Sequence, residues 1–371
     1  MQVEQSVKME QLRPGDILLF SAIETDWESS LIALITNSPV SHTSISYYTN
    51  GYIVEENMPH TQVVDIRNSE SRKVRTTYIM RMDTTAKSLV KVVDIADRYA
   101  QVELAYPMSA LPCVAIYLVI KDLTYSLKAK GIITKIVKLA MGALIAFLNQ
   151  KSGKANFPMH CSQFAYHCYL QASKEAALEA TIAAEAAGKS KEEIIEAGKE
   201  AAKEFKIVLK DEGKENLLKA VATYIDNHYD QLEKQLVAGV NHTLQVEQER
   251  IEEKEVLYEM LYHEIKEVKA VSCSSNQNVE LTEDLVITIY QFCHLLNEVY
   301  GERIGAIQEG IIVGENSEEA LENEVEIATD KVKVLRTINK IIEMGEYFIA
   351  PGDLLSHTEN LKCIGGLDYN S

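Results

Sequence analysis

Proline is scarce in this chain of 371 residues, seven in all, and none lies between Ser173 and Met344. Proline breaks helices and marks turns, so that long stretch is free of the strongest helix breaker. Basic clusters are lacking too: Lys and Arg number 37 against 55 acidic side chains, a formal net charge of −18. Such a field repels phosphate backbones, and the most basic stretch, Lys128 to Lys138, is diluted by apolar residues. Nucleic-acid binding is therefore disfavoured. Cysteines are few, at positions 113, 161, 168, 273, 293 and 363, and their spacing makes no disulfide framework. Free thiols in a reducing, cytoplasmic compartment are the simplest reading. Met1 to Leu12 is polar, without an apolar signal core; export by a route that leaves no amino-terminal mark stays open. A transmembrane segment is not expected either. Ile132 to Leu148 is apolar but carries Lys135 and Lys138, and its uncharged part, Leu139 to Leu148, is too short to span a bilayer. The expectation there is a buried helix; the alternative is an acyl-chain-binding or lipid-facing helix in peripheral contact with a membrane.

What is present describes a folded protein with ample core: 46% hydrophobic and 25% charged residues, enough chain for one large or two medium domains. The first 90 residues or so read as β-rich. Arg13-Pro14-Gly15-Asp16 is a turn before the short apolar strand Ile17 to Phe20. Asp26 to Ile35 has helical spacing and ends at Thr36-Asn37-Ser38-Pro39, because proline disfavours helix in the residue before it. A hairpin follows, His42 to Tyr48 and Tyr52 to Glu56, turning at Thr49-Asn50-Gly51. A further strand pair is expected near Thr61 to Ile66 and Thr76 to Met82. Leu89 to Ala100 is helical in its periodicity. Pro158 opens another helix, expected to run to about Ala172.

From Ser173 to Met344 the chain is rich in Ala, Glu, Lys and Leu, with many charge pairs at helical spacing in Lys174 to Ala187, Lys191 to Leu209 and Val246 to Val268. This predicts an all-helical module of several long helices. Tyr347 to Ala350 then reads as a strand that rejoins the first domain. The expected organisation is a first domain over 1–172, a helical insertion over 173–344, and a closing strand and segment over 345–371.

The chemistry centres on Cys161, in the opening turn of its helix. There the backbone N–H groups and the positive end of the helix dipole favour thiolate over thiol. The same donors suit an oxyanion formed beside the sulfur. His42 sits on a strand far upstream, and Cys with His on separate elements is the minimum for nucleophilic thiol catalysis. Cys168, two turns deeper, has none of these advantages. A metal site from His160, Cys161, His167 and Cys168 is disfavoured, since helix residues seven apart lie roughly 10 Å from each other, against zinc bonds of about 2 Å. No metal and no cofactor are expected; His160 and His167 read as surface or packing residues. His42 needs an orienting carboxylate, and the facing strand offers two. A two-residue Asn50-Gly51 turn sets Ser46 opposite Glu55 and selects Glu55. A three-residue turn with Gly51 as a bulge sets Ser44 opposite Glu56 and selects Glu56.

Arg13-Pro14-Gly15-Asp16-Ile17-Leu18, Thr36-Asn37-Ser38-Pro39-Val40-Ser41-His42, Tyr52-Ile53-Val54-Glu55 and Cys161-Ser162-Gln163-Phe164, taken in order, resemble the permuted papain-like amidases of the YaeF/YiiX group. That group belongs to the NlpC-type superfamily with lecithin retinol acyltransferase-like enzymes. Ala350-Pro351-Gly352-Asp353-Leu354 is similar to the segment that closes such domains. The resemblance covers about residues 10 to 170 and the last 25 or so, roughly half of the chain. It implies an α+β fold, a circularly permuted papain-like domain in which the His precedes the Cys, here carrying a large all-helical insertion. It also implies a triad of Cys161, His42 and Glu55, favouring Glu55 over Glu56.

The leading expectation is a cysteine hydrolase or acyltransferase acting on an amide, isopeptide, ester or thioester bond, with a peptide, acyl or lipid-linked substrate. The apolar stretches Ala110 to Ile120 and Ile132 to Leu148 keep an acyl chain in view. The alternative is a non-catalytic scaffold whose helical module engages a partner protein.

Overall fold

The computed structural model describes residues 5–57, 59–86, 88–103, 117–118, 120, 133–138, 141, 159–210, 217–246, 254–272, 281–308, 330–343, 345 and 348–369. Its strands are β1 (Ser6–Lys8), β2 (Ile17–Ser21), β3 (Val40–Ser46), β4 (Tyr52–Glu56), β5 (Thr61–Asp65), β6 (Thr77–Met82) and β7 (Leu361–Asp368). Between them run helices α1 (Trp27–Ile35), α2 (Glu70–Lys73), α3 (Val90–Gln101), α4 (Cys161–Ala186), α5 (Lys191–Lys203), α6 (Leu217–Val246), α7 (Lys254–Ser272), α8 (Glu283–Gln308), α9 (Asp330–Glu343) and α10 (Pro351–Ser356). The class is α+β, as expected. All seven strands form one mixed sheet in the order β1-β7-β6-β2-β3-β4-β5, with β1 and β7 parallel and the other pairs antiparallel.

The central strand β2 is buried on both faces, which is why Ile17 to Phe20 reads as an unbroken apolar run rather than an alternating one. Ile17, Leu19, Ile45, Val54 and Met80 point into a core shared with α3 and α4; Leu18, Phe20, Ile53 and Ile79 point into a second core with Val7, Met9 and Leu12. Helix α3 packs Val92, Val93, Ile95 and Ala96 against the first core. Each large apolar side chain buried this way contributes about 1.5–3 kcal/mol.

Several local expectations are corrected. The strands near Thr61 and Thr76 both exist but do not pair with each other: β5 pairs with β4, and β6 lies between β2 and β7. The β3–β4 hairpin pairs Ser46 with Ile53 and Ile45 with Val54, a wider turn than either expected form. Tyr47 and Tyr52 close it through their backbones at 2.9 Å, and Gly51 takes φ +85° within it. The final strand is Leu361–Asp368; Phe348 to Ala350 belong to no strand. Pro351 opens α10 there, a helix start that a fixed φ and missing N–H favour. Asp353 accepts from the Ala350 N–H at 2.9 Å and stabilises that start. Pro158, read as a helix opener, lies outside the described residues.

The chain divides into two compact units, Met1–Met108 with Asn156–Glu212 and Ile349–Ser371, and Ser109–Ala155 with Gly213–Phe348. The expected boundary at 172/173 falls inside the continuous helix α4. Residues up to Glu212 stay with the sheet because α4 buries Ala172 and Ala176 in its core, and Phe205 and Ile207 follow them. Ser173 Oγ donates to the Ala202 carbonyl at 2.8 Å, and Lys91–Glu179 and Arg98–Glu175 pairs tie α3 to α4. In the second unit α6, α8 and α9 pack together through residues such as Leu232, Ile289 and Ile338. Residues 133–138 are helical there and bury Ile133, Ile136 and Val137 while Lys135 pairs with Glu264. Most of Ala110 to Ile120 and of Ile132 to Leu148 lies outside the described residues. Among the described residues, no helix is long and apolar enough to cross a membrane.

Candidate active site

Three elements of the first unit converge: the start of α4, the beginning of β3 and the end of β4. Helix α4 begins at Cys161 because His160 is extended (φ −87°, ψ 165°) and its N–H is taken by the Gln163 Oε1 at 3.0 Å. Ser162 Oγ donates to the Ile349 carbonyl at 2.5 Å, pinning the first turn to the segment before α10. The first-turn N–H groups of a helix have no intrahelical acceptor, so those of Cys161 and Ser162 are the donors nearest the sulfur by sequence.

Strand β3 presents His42 across from Phe20 of β2, with ring centroids 5.8 Å apart. Cys161 lies close enough to His42 for its charge to act on the imidazole. Its Nε2 donates to Glu55 Oε2 at 2.7 Å, which leaves Nδ1 as the ring nitrogen available to a thiol. Burial by itself would lower the His42 imidazole. The charges of Cys161 and Glu55, with the hydrogen bond to Glu55, overcome that and raise it to about 9.

Glu55 is fully buried (0% exposed). Burial alone would raise its carboxyl, yet His42 and Arg72 hold it down at about 2. Arg72 supplies its Nη2 to Glu55 Oε1 at 2.5 Å, and Asn57 Nδ2 reaches the same oxygen at 3.5 Å. Both carboxylate oxygens therefore have donors, and the anion is fixed in place. Of the two carboxylates left open by the sequence, the structure brings Glu55 to His42. Glu56 is turned away, its Oε2 taken by the Thr61 hydroxyl. Burial pushes Glu56 up to about 8; the Thr61 hydrogen bond opposes this, and the neighbouring Glu55 charge adds to it.

Arg72, Arg75 and Phe20 went unnoticed in the sequence. Arg72 and Arg75 both lie over the Phe20 ring, with guanidinium carbons 4.7 and 5.4 Å from its centroid. Arg75 Nε donates to the Ser21 carbonyl at 2.6 Å, and its Nη2 to the Phe20 carbonyl at 3.3 Å and Ser41 Oγ at 3.0 Å. Ser41 Oγ in turn lies 2.6 Å from Ser29 Oγ on α1. The only sequence signal was a pair of arginines three residues apart, Arg72 within the short helix α2 and Arg75 just past its end.

The other candidates stand apart from this relay. His160 and His167 are both buried packing residues, not surface ones, and burial lowers them to about 3 and 4, with Lys174 adding to the shift of His167. His167 Nε2 is 2.8 Å from the Tyr99 hydroxyl. Cys168 is buried in the apolar core and its thiol is pushed well up by burial. Cys161 is 3% exposed, and the His42 side chain 14%, so the imidazole side is the more open approach to the pair. Comparison of the chain with family models and with curated proteins returns no match.

Proposed function

We propose that the protein is a cysteine-dependent hydrolase or acyltransferase of the permuted papain-like kind, acting on an amide, isopeptide, ester or thioester bond. One observation carries the reading: a buried carboxylate with donors on both oxygens, hydrogen-bonded to a histidine whose imidazole feels the charge of the cysteine at a helix start. The Cys161 sulfur attacks the carbonyl carbon, and its π electrons move to oxygen near the first-turn N–H groups. His42 then gives its proton to the leaving amine, alcohol or thiol, and the carbonyl re-forms as an acyl-enzyme. Water or a second nucleophile loses a proton to His42 as it attacks, and the sulfur departs. Glu55 keeps the ring oriented and the imidazolium stabilised throughout.

The papain-like assignment is part of the proposal, supported by the chain order His, Glu, Cys and by the short closing helix after Ala350. The scaffold reading draws its support from the near-complete burial of Cys161. An acyl trap separates the two. Activated acyl esters, short-chain and long-chain, should leave an acyl mass on the Cys161 peptide of the wild type and none in Cys161→Ala. His42→Ala should slow acylation about 10²–10⁴-fold. An adduct spread equally over the cysteines, or none on Cys161, would end the enzymatic reading.

A further inference from the structure

The charges gathered at Cys161 do not balance. Arg72 and Arg75 are cations, and among the described residues Glu55 is the one carboxylate held ionised beside them. Burial pushes Glu56 up to about 8, which favours its neutral form. Burial likewise keeps the Tyr369 hydroxyl neutral beside the two arginines. The Cys161–His42 pair sums to zero whether the proton sits on sulfur or on the ring. One positive charge is therefore left over, in a chain whose net charge is −18.

The excess resides at Arg75, whose partners are two backbone carbonyls and the Ser41 hydroxyl, all neutral. Ser41 is the residue next to His42, and the Phe20 ring that Arg75 covers lies 5.8 Å from the His42 ring. Arg72 adds a second sign of an unfilled anion position. It is 9% exposed, one fork of its guanidinium is spent on Glu55, and its Nη1 is buried with no partner. Planar guanidinium groups match carboxylates closely, and leaving such a donor buried and unpaired costs free energy.

We propose that Arg75, backed by Arg72, is a specificity-determining residue that selects substrates bearing a carboxylate beside the scissile carbonyl. This rests on Cys161 as the nucleophile, and the test is chosen to separate the two ideas. Iodoacetate and iodoacetamide react alike, the sulfur forming a bond to carbon as iodide leaves, and differ in one carboxylate. Second-order rates at Cys161, read by mass spectrometry of its peptide, give the ratio of anionic to neutral reagent.

Arg75→Gln should lower that ratio about tenfold at low salt, the order expected of one charge a few ångströms away at a partly solvated site. Arg75→Lys, which keeps the charge, should retain most of it, and so guards against a general loss of fold. Lys73→Gln, removing an equal charge from the exposed pair with Glu70, should leave it unchanged. His42 acts on the ratio equally in all three variants. A ratio unaltered by Arg75→Gln, or altered equally by Lys73→Gln, overturns the inference while Cys161 still reacts. Inertness of Cys161 to both reagents overturns the catalytic reading itself. Paired amide substrates, glutamyl against glutaminyl and free against amidated terminal carboxyl, then tell a side-chain carboxylate from a terminal one.

Discussion

At the level of single residues, the site is governed by how charge is distributed over His42, Glu55 and Arg72. A buried imidazole ordinarily loses its proton; His42 keeps it because Cys161 and Glu55 outweigh burial and raise it to about 9. The imidazolium is the form that protonates a leaving group. Acylation of Cys161 should therefore hold up to mildly alkaline pH and fall as pH rises through about 9. Glu55→Gln keeps the shape and removes the charge, so its alkaline limb should move towards neutrality, by about one unit or more. The pH profile of acyl-adduct formation in the two proteins measures this. An unmoved limb would mean that Glu55 orients the ring without stabilising its charge. Legibility at this scale was uneven. Cys161 and His42 announce themselves by type and position. Glu55 could be told from Glu56 only through the resemblance, because the hairpin adopts a register that neither simple turn form anticipates. Arg72 and Arg75 were invisible, since their role depends on a ring, Phe20, some fifty residues earlier in sequence and brought near by sheet pairing.

Among elements, the position of His42 depends on the short segment that leads into β3. Gly352 in α10 lies against it so closely that a Cβ there would sit 2.7 Å from the Cβ atoms of both Thr36 and Ser38. Thr36 closes α1 through its N–H to Ile32, and Asn37 takes a left-handed φ of 47°. The likeness between Pro14-Gly15-Asp16 and Pro351-Gly352-Asp353 thus hides two different structures. The first is a turn whose Asp16 holds Arg81 at 2.6 and 2.8 Å; the second is a helix start. Gly352→Ala should cost about 1–3 kcal/mol by overpacking. It should also slow Cys161 acylation, because the strained segment ends at Pro39, three residues before His42. Denaturant melts alongside the acyl trap check both effects; lost stability with unchanged acylation would uncouple α10 from the site. Long periodic helices were readable from composition, but the continuity of α4 across Ala172 was not. Its first half has the apolar pattern of a sheet-packed helix and its second half the pattern of a surface helix.

For the whole molecule, the two adjacent carboxylates of β4 impose opposite pH dependences on folding. Glu55, lowered to about 2, contributes stability that is present above 4.5 and lost as pH falls towards 2. Glu56, raised to about 8, behaves in reverse. Below 4.5 it is protonated in both folded and unfolded chains. Above 4.5 the unfolded chain releases its proton while the folded chain keeps it, so stability drains away until pH passes about 8. His42 contributes a loss of the same sign, but only from 6.5 up to about 9. The window from pH 4.5 to 6.5 therefore belongs to Glu56 among the groups of the site. Glu56→Gln retains the volume and an oxygen for the Thr61 hydroxyl, and it cannot titrate. The difference in Tm between Glu56→Gln and wild type should widen in favour of the variant from pH 5 to 6.5, by about 2–4 °C for each kcal/mol relieved. Calorimetric melts at the two pH values decide it: parallel curves would mean that Glu56 meets enough water or relaxation on the folded chain to ionise at its ordinary value. Widening curves would mean that the strand carries one ionised and one neutral carboxyl side by side. That arrangement keeps a second negative charge from competing with Glu55 for His42 and Arg72.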